Sequence, residues 1–276
     1  MQRSSVAKCR NSIMAKSVSF TLKSALGISG VLFGLAAGST TAATVTSSTV
    51  SLPNGSDLVN IIDGNQNVDG GGGNIISGTI GLQTNIGALS TYCVDLFDYI
   101  SVGNPSVNTF SQSTLTAGST FKNGTATGVF TQAQVTDLTR LLAGGNSLVT
   151  QSSVSSAALQ VAIWEVEYDT VAANGSYNLT STSDPFYFTA SSSDSNSAAV
   201  LALAQTYLND ATGYQNGGSW VSASWLAASN QYVEYLTSNP AGTQNLIYLA
   251  TPEPSTVAVF GMGLIGLWAA RRRKMI

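Results

Sequence analysis

From Ala157 to Trp164 every residue is apolar except one, Gln160. The segment has helical character: Ser152 or Ser153 supplies a start and the pattern runs to about Glu167. A helix whose apolar residues cover all sides has no face for water and is buried. The rest of the chain must therefore wrap around it. A primary amide carried into that interior needs partners, at a cost of roughly 1–3 kcal/mol if it finds none. Gln160 thus needs a specific explanation.

The flanking sequence supplies the wrapping. From Thr44 to about Ile100 the texture is β: Val45 to Leu52 alternates loosely, and Leu58 to Ile62 and Asn74 to Leu82 are apolar runs between Gly/Asn turns. Tyr92 to Ile100 continues it, with Cys93 on the face opposite Tyr92 and Val94. The period then changes. Thr131 caps a helix from Gln132 to Ala143, stopped by Gly144-Gly145, and a third helix runs from Asn196 to Leu208, capped by Ser195 and ended near Gly213. Phe186 to Phe188, Trp220 to Trp225, Gln231 to Leu236 and Asn245 to Leu249 return to β. The expected class is α+β: β-sandwich-like sheets with an inserted or packed helical subdomain, plus N-terminal signal and C-terminal transmembrane tail helices.

Charge is distributed unevenly. Five of the eleven Lys and Arg precede the first apolar run and four follow the last, leaving Lys122 and Arg140 against thirteen acids between them. Nucleic-acid binding needs a basic footprint and is excluded. The chain has no histidine, which removes Ser-His-Asp and Cys-His nucleophile systems and disfavours zinc. Residues 1–43 read as a signal peptide: a basic leader, the apolar stretch Ala25 to Gly38, and Thr41-Ala42-Ala43 as a cleavage site. Cys9 leaves with it. Cys93 is then a single thiol in an oxidising compartment, where no intramolecular disulfide is possible.

Residues 251–276 form a tail. Pro252-Glu253-Pro254 breaks preceding structure. Ser255 to Ala270 spans sixteen residues, roughly 24 Å as helix, a little short of a bilayer core. Arg271, Arg272, Arg273 and Lys274 then stay on the cytoplasmic side. This order resembles the PEP-CTERM sorting tail of Gram-negative bacteria that make exopolysaccharide, departing from it at Thr251, where Val is commoner. The resemblance implies recognition and cleavage by an exosortase, after transient anchoring in the inner membrane. A simple tail anchor is the alternative.

Residues 44–250 then form the exported domain. A thioester between the Cys93 sulfur and the Gln160 side-chain carbonyl would account for both the lone thiol and the lone buried amide. Trp164, one turn beyond Gln160, would keep water off it, with Tyr92 beside Cys93. Such a bond is a stored electrophile that accepts an amine or hydroxyl once, without turnover. The segments Tyr92-Cys93-Val94 and Leu159-Gln160-Val161-Ala162-Ile163-Trp164 resemble the paired motifs of bacterial thioester domains of surface adhesins, and Cys93-Val94-Asp95-Leu96 with Gln160-Val161-Ala162-Ile163-Trp164-Glu165 resembles a thioester-type group among PEP-CTERM proteins. That resemblance implies a non-enzymatic, cofactor-free covalent clamp of the envelope, exopolysaccharide matrix or biofilm. Its partners would be amines or hydroxyls of surface or matrix polysaccharide or protein. Known examples of the adhesin domains are mostly Gram-positive and carry a different sorting tail.

Competing readings stay open on sequence. Cys93 also suits a small core residue and Gln160 a backbone-bonded one, which would make this a non-reactive structural matrix protein. Asp95, Glu165 and Glu167 lie near the two motifs, either positioning an amine or as solvated charges. With Asp98 they also suggest a paired-carboxylate carbohydrate hydrolase. Residues 63–69 place oxygen ligands at alternate positions like a calcium loop, but Val68 stands at position six and Asn74 at twelve, which favours a plain turn. No other metal site is expected.

Overall fold

In the computed structural model the described residues are 43–64, 66–67, 74–103, 107–123, 126–169, 175–215, 218–219, 225–226, 231–239 and 243–250. The chain divides into two units, 1–39 and 40–276, and every described residue belongs to the second. The expected signal peptide and the sorting tail, including Pro252, Glu253 and Pro254, lie outside the described residues. Among those described, no helix is long and apolar enough to cross a membrane.

The strands are β1 (Ala43–Ser51), β2 (Asp57–Asp63), β3 (Gln66–Asn67), β4 (Asn74–Ser77), β5 (Ile80–Thr84), β6 (Gly87–Cys93), β7 (Asn108–Thr114), β8 (Thr120–Asn123), β9 (Ala126–Val129), β10 (Phe186–Ala190), β11 (Tyr214–Gln215), β12 (Gly218–Ser219), β13 (Tyr232–Ser238) and β14 (Leu246–Ala250). The helices are α1 (Gln132–Gly145), α2 (Ser153–Tyr168) and α3 (Ser197–Thr212). The α+β class holds. The expected sandwich does not: six antiparallel strands close into a barrel in the order β1-β5-β6-β14-β13-β7.

Closure rests on β1, which serves both edges. Its first half, Ala43 to Ser47, pairs with β7, and from Ser47 to Ser51 it pairs with β5. The register shifts between Ser47 and Thr49. A bulge bends a strand and moves its alternation by one residue. Val45 and Ser47 are buried before the shift and Val50 after it, which is why the alternation reads as loose in sequence. A second sheet, β10-β2-β3 with β4 on β2, stands apart from the barrel. The run from Asn74 to Leu82 is therefore two strands in different sheets. They part at Gly78, where a Cβ would meet the Gly55 carbonyl at 2.8 Å, and at Thr79, whose N–H donates to Ser156 Oγ of α2 at 2.7 Å.

The central helix α2 is buried continuously from Ser155 to Glu167, as an all-round apolar segment requires. It packs on α1, α3, β2, β4, β6 and β10. Its N-cap is Ser152, whose side chain accepts from Ser155 N–H. For α1, Thr131 and Gln134 form a reciprocal capping box. The helix does not stop at Gly144-Gly145 as expected but includes both. Their role is close packing: a Cβ on Gly144 would run into the Trp225 ring, and one on Gly145 would lie 2.6 Å from Leu159 Cδ1. The third helix starts after Asn196 rather than Ser195 and ends at left-handed Gly213.

Of the calcium-like segment 63–69, residues 65, 68 and 69 lie outside the described residues. Asp63 stands opposite Gln66 and Ile62 opposite Asn67, with Gly64 at φ 57°. No group of three acidic or cysteine side chains among the described residues is arranged to hold a metal. The strand expected to continue to Ile100 ends at Cys93. Beyond it the backbone donors turn aside: Val94 N–H to the Asn245 carbonyl (3.1 Å), Asp95 N–H to Cys93 Sγ (3.4 Å), and Leu96 N–H to Tyr168 Oη (3.1 Å).

Candidate functional site

Cys93 is the last residue of β6, opposite Leu246 of β14. Gln160 sits mid-way along α2. The two are joined twice. Cys93 N–H donates to Gln160 Oε1 at 2.8 Å, and Gln160 Nε2 donates to the Cys93 carbonyl at 2.8 Å. The side-chain amide thus imitates a neighbouring strand, docking on the backbone of the residue that bears the thiol. Both partners are almost completely buried.

Cys93, Gln160 and Trp164 line one wall of a cavity of about 690 Å³. Its other walls are mostly apolar, including Ile80, Leu96, Phe97 and Ile100, with Asp98, Asn74 and Gln244 as polar points. Tyr92 faces away, as its position next to Cys93 on a strand dictates, and its hydroxyl donates to Asn146 Oδ1 at 2.6 Å. Of the two residues expected to shield the bond, Trp164 lines the cavity and Tyr92 does not.

Around the sulfur, donors and acids converge. The Asp95 N–H donates to Sγ, while the thiol faces the Asp95 carbonyl, each at 3.4 Å. Gln244 Nε2 donates to Sγ and, at 3.1 Å, to the Asp95 carbonyl. Asn245 Nδ2 donates to Asp95 Oδ2 at 3.2 Å. Burial pushes the Cys93 thiol pKa well up, and the charges of Glu167 and Asp95 push the same way. The Asp95 N–H and the Trp164 indole pull against them. Among the described residues Trp164 Nε1 otherwise has no hydrogen-bond partner of ordinary geometry. The thiol is thus protonated at rest, and negative charge on sulfur depends on those donors.

The nearby carboxyls are not solvated charges. Asp95, Glu165 and Glu167 are all but fully buried. Burial, then the charge of Asp98, raises Asp95 to about 7, with Lys122 opposing. Burial, then Asp169, raises Glu165 to about 9. Burial raises Glu167 well above the ordinary range, with Asp95 adding to it. Of the four acids that suggested a hydrolase, Asp98 alone lines the cavity.

Sequence reasoning missed Gln244, Asn245 and Tyr168. Tyr168 closes the lower end of α2: its hydroxyl donates to the Lys122 carbonyl at 2.8 Å and its ring packs on Phe97, Phe121 and Phe186. Nothing local marks Gln244, which lies 151 residues from Cys93 in sequence.

Residues 250–274 match the PEP-CTERM protein-sorting motif. The chain thus carries the signal of an exported protein of Gram-negative type, processed by exosortase. No curated protein sequence matches it. Solved structures similar to this chain include the N-terminal thioester domain of a surface protein from Clostridium perfringens, as a cysteine-to-alanine mutant. It has 10% identity and a TM-score of 0.38, over 63% of this chain and 88% of that one. The N-terminal domain of the Streptococcus pyogenes pilus tip adhesin Cpa has 12% identity and a TM-score of 0.37, over 63% and 84%. The N-terminal thioester domain of the fibronectin-binding protein SfbI from Streptococcus pyogenes has 14% identity and a TM-score of 0.37, over 64% and 87%. The geometry of the Cys93–Gln160 pair stands independently of these likenesses.

Proposed function

We propose that Cys93 and Gln160 join as an internal thioester, and that this exported protein uses it to attach covalently, once, to an amine or hydroxyl on a surface or matrix partner. The observation that carries this reading is the docking of the Gln160 amide on the Cys93 backbone. It brings the thiol and an acyl carbon onto the wall of one cavity and holds them as an intramolecular pair. In the reaction Sγ attacks Gln160 Cδ, and the charge that develops on Oε1 meets the Cys93 N–H that already binds it. The thiol proton passes to Nε2, the Cδ–Nε2 bond breaks, and ammonia leaves. The Cys93 carbonyl then loses one donor. A later amine adds to Cδ, forms an amide, and returns the thiol. The acyl group is consumed, so the protein is a clamp rather than an enzyme. The apolar walls and Trp164 keep water from the bond until a nucleophile enters. Biofilm or exopolysaccharide matrix is the setting this reading favours, after exosortase releases a tail that holds the protein transiently at the inner membrane.

Intact mass tests it. Protein purified from the producing cells should weigh one ammonia less than its processed sequence and resist thiol alkylation while folded. Methylamine should add one amine and free the Cys93 thiol. Cys93→Ala and Gln160→Ala should each abolish the deficit and the adduct, and Gln160→Glu should block formation because an ionised carboxylate is a poor acyl donor. The same spectrum locates the processed C-terminus, expected near Glu253. Folded wild type at full mass with a titratable thiol would sink the clamp. The two hydrogen bonds of Gln160 already satisfy its amide, so the reading left standing would be a non-reactive matrix protein in which Gln160 is a structural bridge.

A further inference from the structure

Gln244 belongs to neither sequence motif, yet its side chain contacts the sulfur. The segment is held there by backbone: Val94 N–H donates to the Asn245 carbonyl at 3.1 Å, and Leu246 is the register partner of Cys93. Fixed by this pairing, Gln244 Nε2 donates both to Cys93 Sγ and to the Asp95 carbonyl at 3.1 Å. The second bond orients the amide so that its N–H group, not its oxygen, meets the sulfur. Gln244 also lines the cavity through which a nucleophile must come. The rest of the thiol's surroundings is mixed: the Asp95 N–H and the Trp164 indole favour negative charge on sulfur, whereas burial and the Asp95 and Glu167 carboxyls oppose it.

We propose that Gln244 is a catalytic residue of the thioester chemistry: its amide N–H stabilises negative charge on Cys93 sulfur whenever the sulfur–acyl bond is made or broken. The inference rests on the thioester reading above. On attack by an amine, the new C–N bond forms at Gln160 Cδ, the Cδ–Sγ bond breaks, and its electron pair stays on sulfur. Gln244 donates to that sulfur until the proton lost by the attacking amine reaches it, leaving an amide and the free thiol. The same donor lowers the barrier to forming the bond, because making and breaking it share one transition state for the sulfur. Removing a single preorganised donor to a developing anion typically slows a reaction about a hundredfold or more.

The test compares methylamine aminolysis of wild type, Gln244→Leu and Gln244→Glu, followed by intact mass and thiol titration on protein purified from the producing cells. Gln244→Leu should keep the ammonia deficit after prolonged incubation but react with methylamine roughly a hundredfold more slowly. In Gln244→Glu the carboxylate presents no donor at neutral pH and regains one when protonated. Its rate relative to wild type at the same pH should therefore rise as pH falls, which a merely structural role would not produce. Aminolysis of Gln244→Leu at the wild-type rate would overturn the proposal. So would a Glu-to-wild-type ratio that is flat with pH, and this measurement decides the matter if the Leu variant does not fold. A cross-link mapped to Cys93 and Gln244 would also overturn it, because Gln244 would then be the acyl donor. Absence of any deficit in wild type would instead remove the thioester reading itself.

Discussion

Along one face of α2 the chain buries two polar side chains in opposite ways. Gln160 has both amide atoms paired with the Cys93 backbone. Glu167, seven residues on and so on the same face, has neither oxygen paired among the described residues. Asp95, which caps the sulfur from the neighbouring turn, lies between them: Oδ2 accepts from Asn245 and Oδ1 has no hydrogen-bond partner among the described residues. The difference in pairing sets the chemistry. A paired neutral amide fixes geometry and is indifferent to pH. An unpaired buried carboxyl holds its proton, because the charged form has neither water nor a donor. The site is thus rigid where bond formation needs precision and, at Glu167, protonated where a stray anion would oppose negative charge on sulfur.

Breaking the paired end should have the largest effect. Gln160→Ala leaves the Cys93 N–H and carbonyl unpaired and opens a void beneath them. We expect a loss of about 2–5 kcal/mol in denaturant unfolding, the sum of a cavity and unmet backbone groups. It should also remove the mass deficit. A stability within error of wild type would mean that the Gln160 side chain does not bridge to Cys93 in solution.

How much of this was legible in sequence follows from which interactions are local. The burial of α2 was readable because an all-round apolar helix has one solution, and the Thr131 cap because its partner, Gln134, is three residues away. The pairing of Cys93 with Gln160 was anticipated because each looked misplaced alone. The barrel was not, because closure depends on one strand pairing at both edges, and its bulge blurred the alternation. Gly144-Gly145 carries an ambiguous signal: the same residues that end helices also let helices approach bulky neighbours. Trp225 and Leu159 decide between the two, and only the folded chain brings them there. The buried acids were misjudged because a carboxylate in sequence defaults to solvent, and nothing local said that α2 would be covered on that side too.

Relieving the unpaired end should give an intermediate effect of opposite sign. An acid whose folded pKa exceeds its unfolded one keeps a proton that the unfolded chain has lost. Stability therefore falls as pH rises from the ordinary carboxyl range through the folded value. Asp95, at about 7, and Glu165, at about 9, set the window, and Glu167 adds to it in the same direction. Thermal melting should fall between about pH 5 and about pH 9. Glu167→Met removes one such group at similar volume. It should raise stability at the alkaline end by about 1–3 kcal/mol, change little at the acid end, and flatten the slope. An unchanged slope would mean that Glu167 is hydrated or paired in solution.

The smallest effect should come from the intermediate group. Lys122 Nζ is paired with Asp98 at 2.6 Å, and its charge opposes the rise in the Asp95 pKa. The lysine side chain is 42% exposed, so solvent screens the pair and Lys122→Ala should cost at most about 1 kcal/mol. Its informative consequence is a shift. Without the cation, Asp95 should hold its proton to a higher pH than about 7, and the step it contributes to the stability–pH curve should move upward by the same amount. The backbone carbonyl of Lys122, which accepts from Tyr168, is untouched by the substitution, so α2 stays anchored. High salt should mimic part of the shift in wild type and have less effect in the variant, since the screened charge is already gone. A curve that keeps its position in Lys122→Ala would show that Asp95 is governed by its own burial and by Asp98 rather than by the cation. That result would move Asp95 out of its intermediate place and beside Glu167.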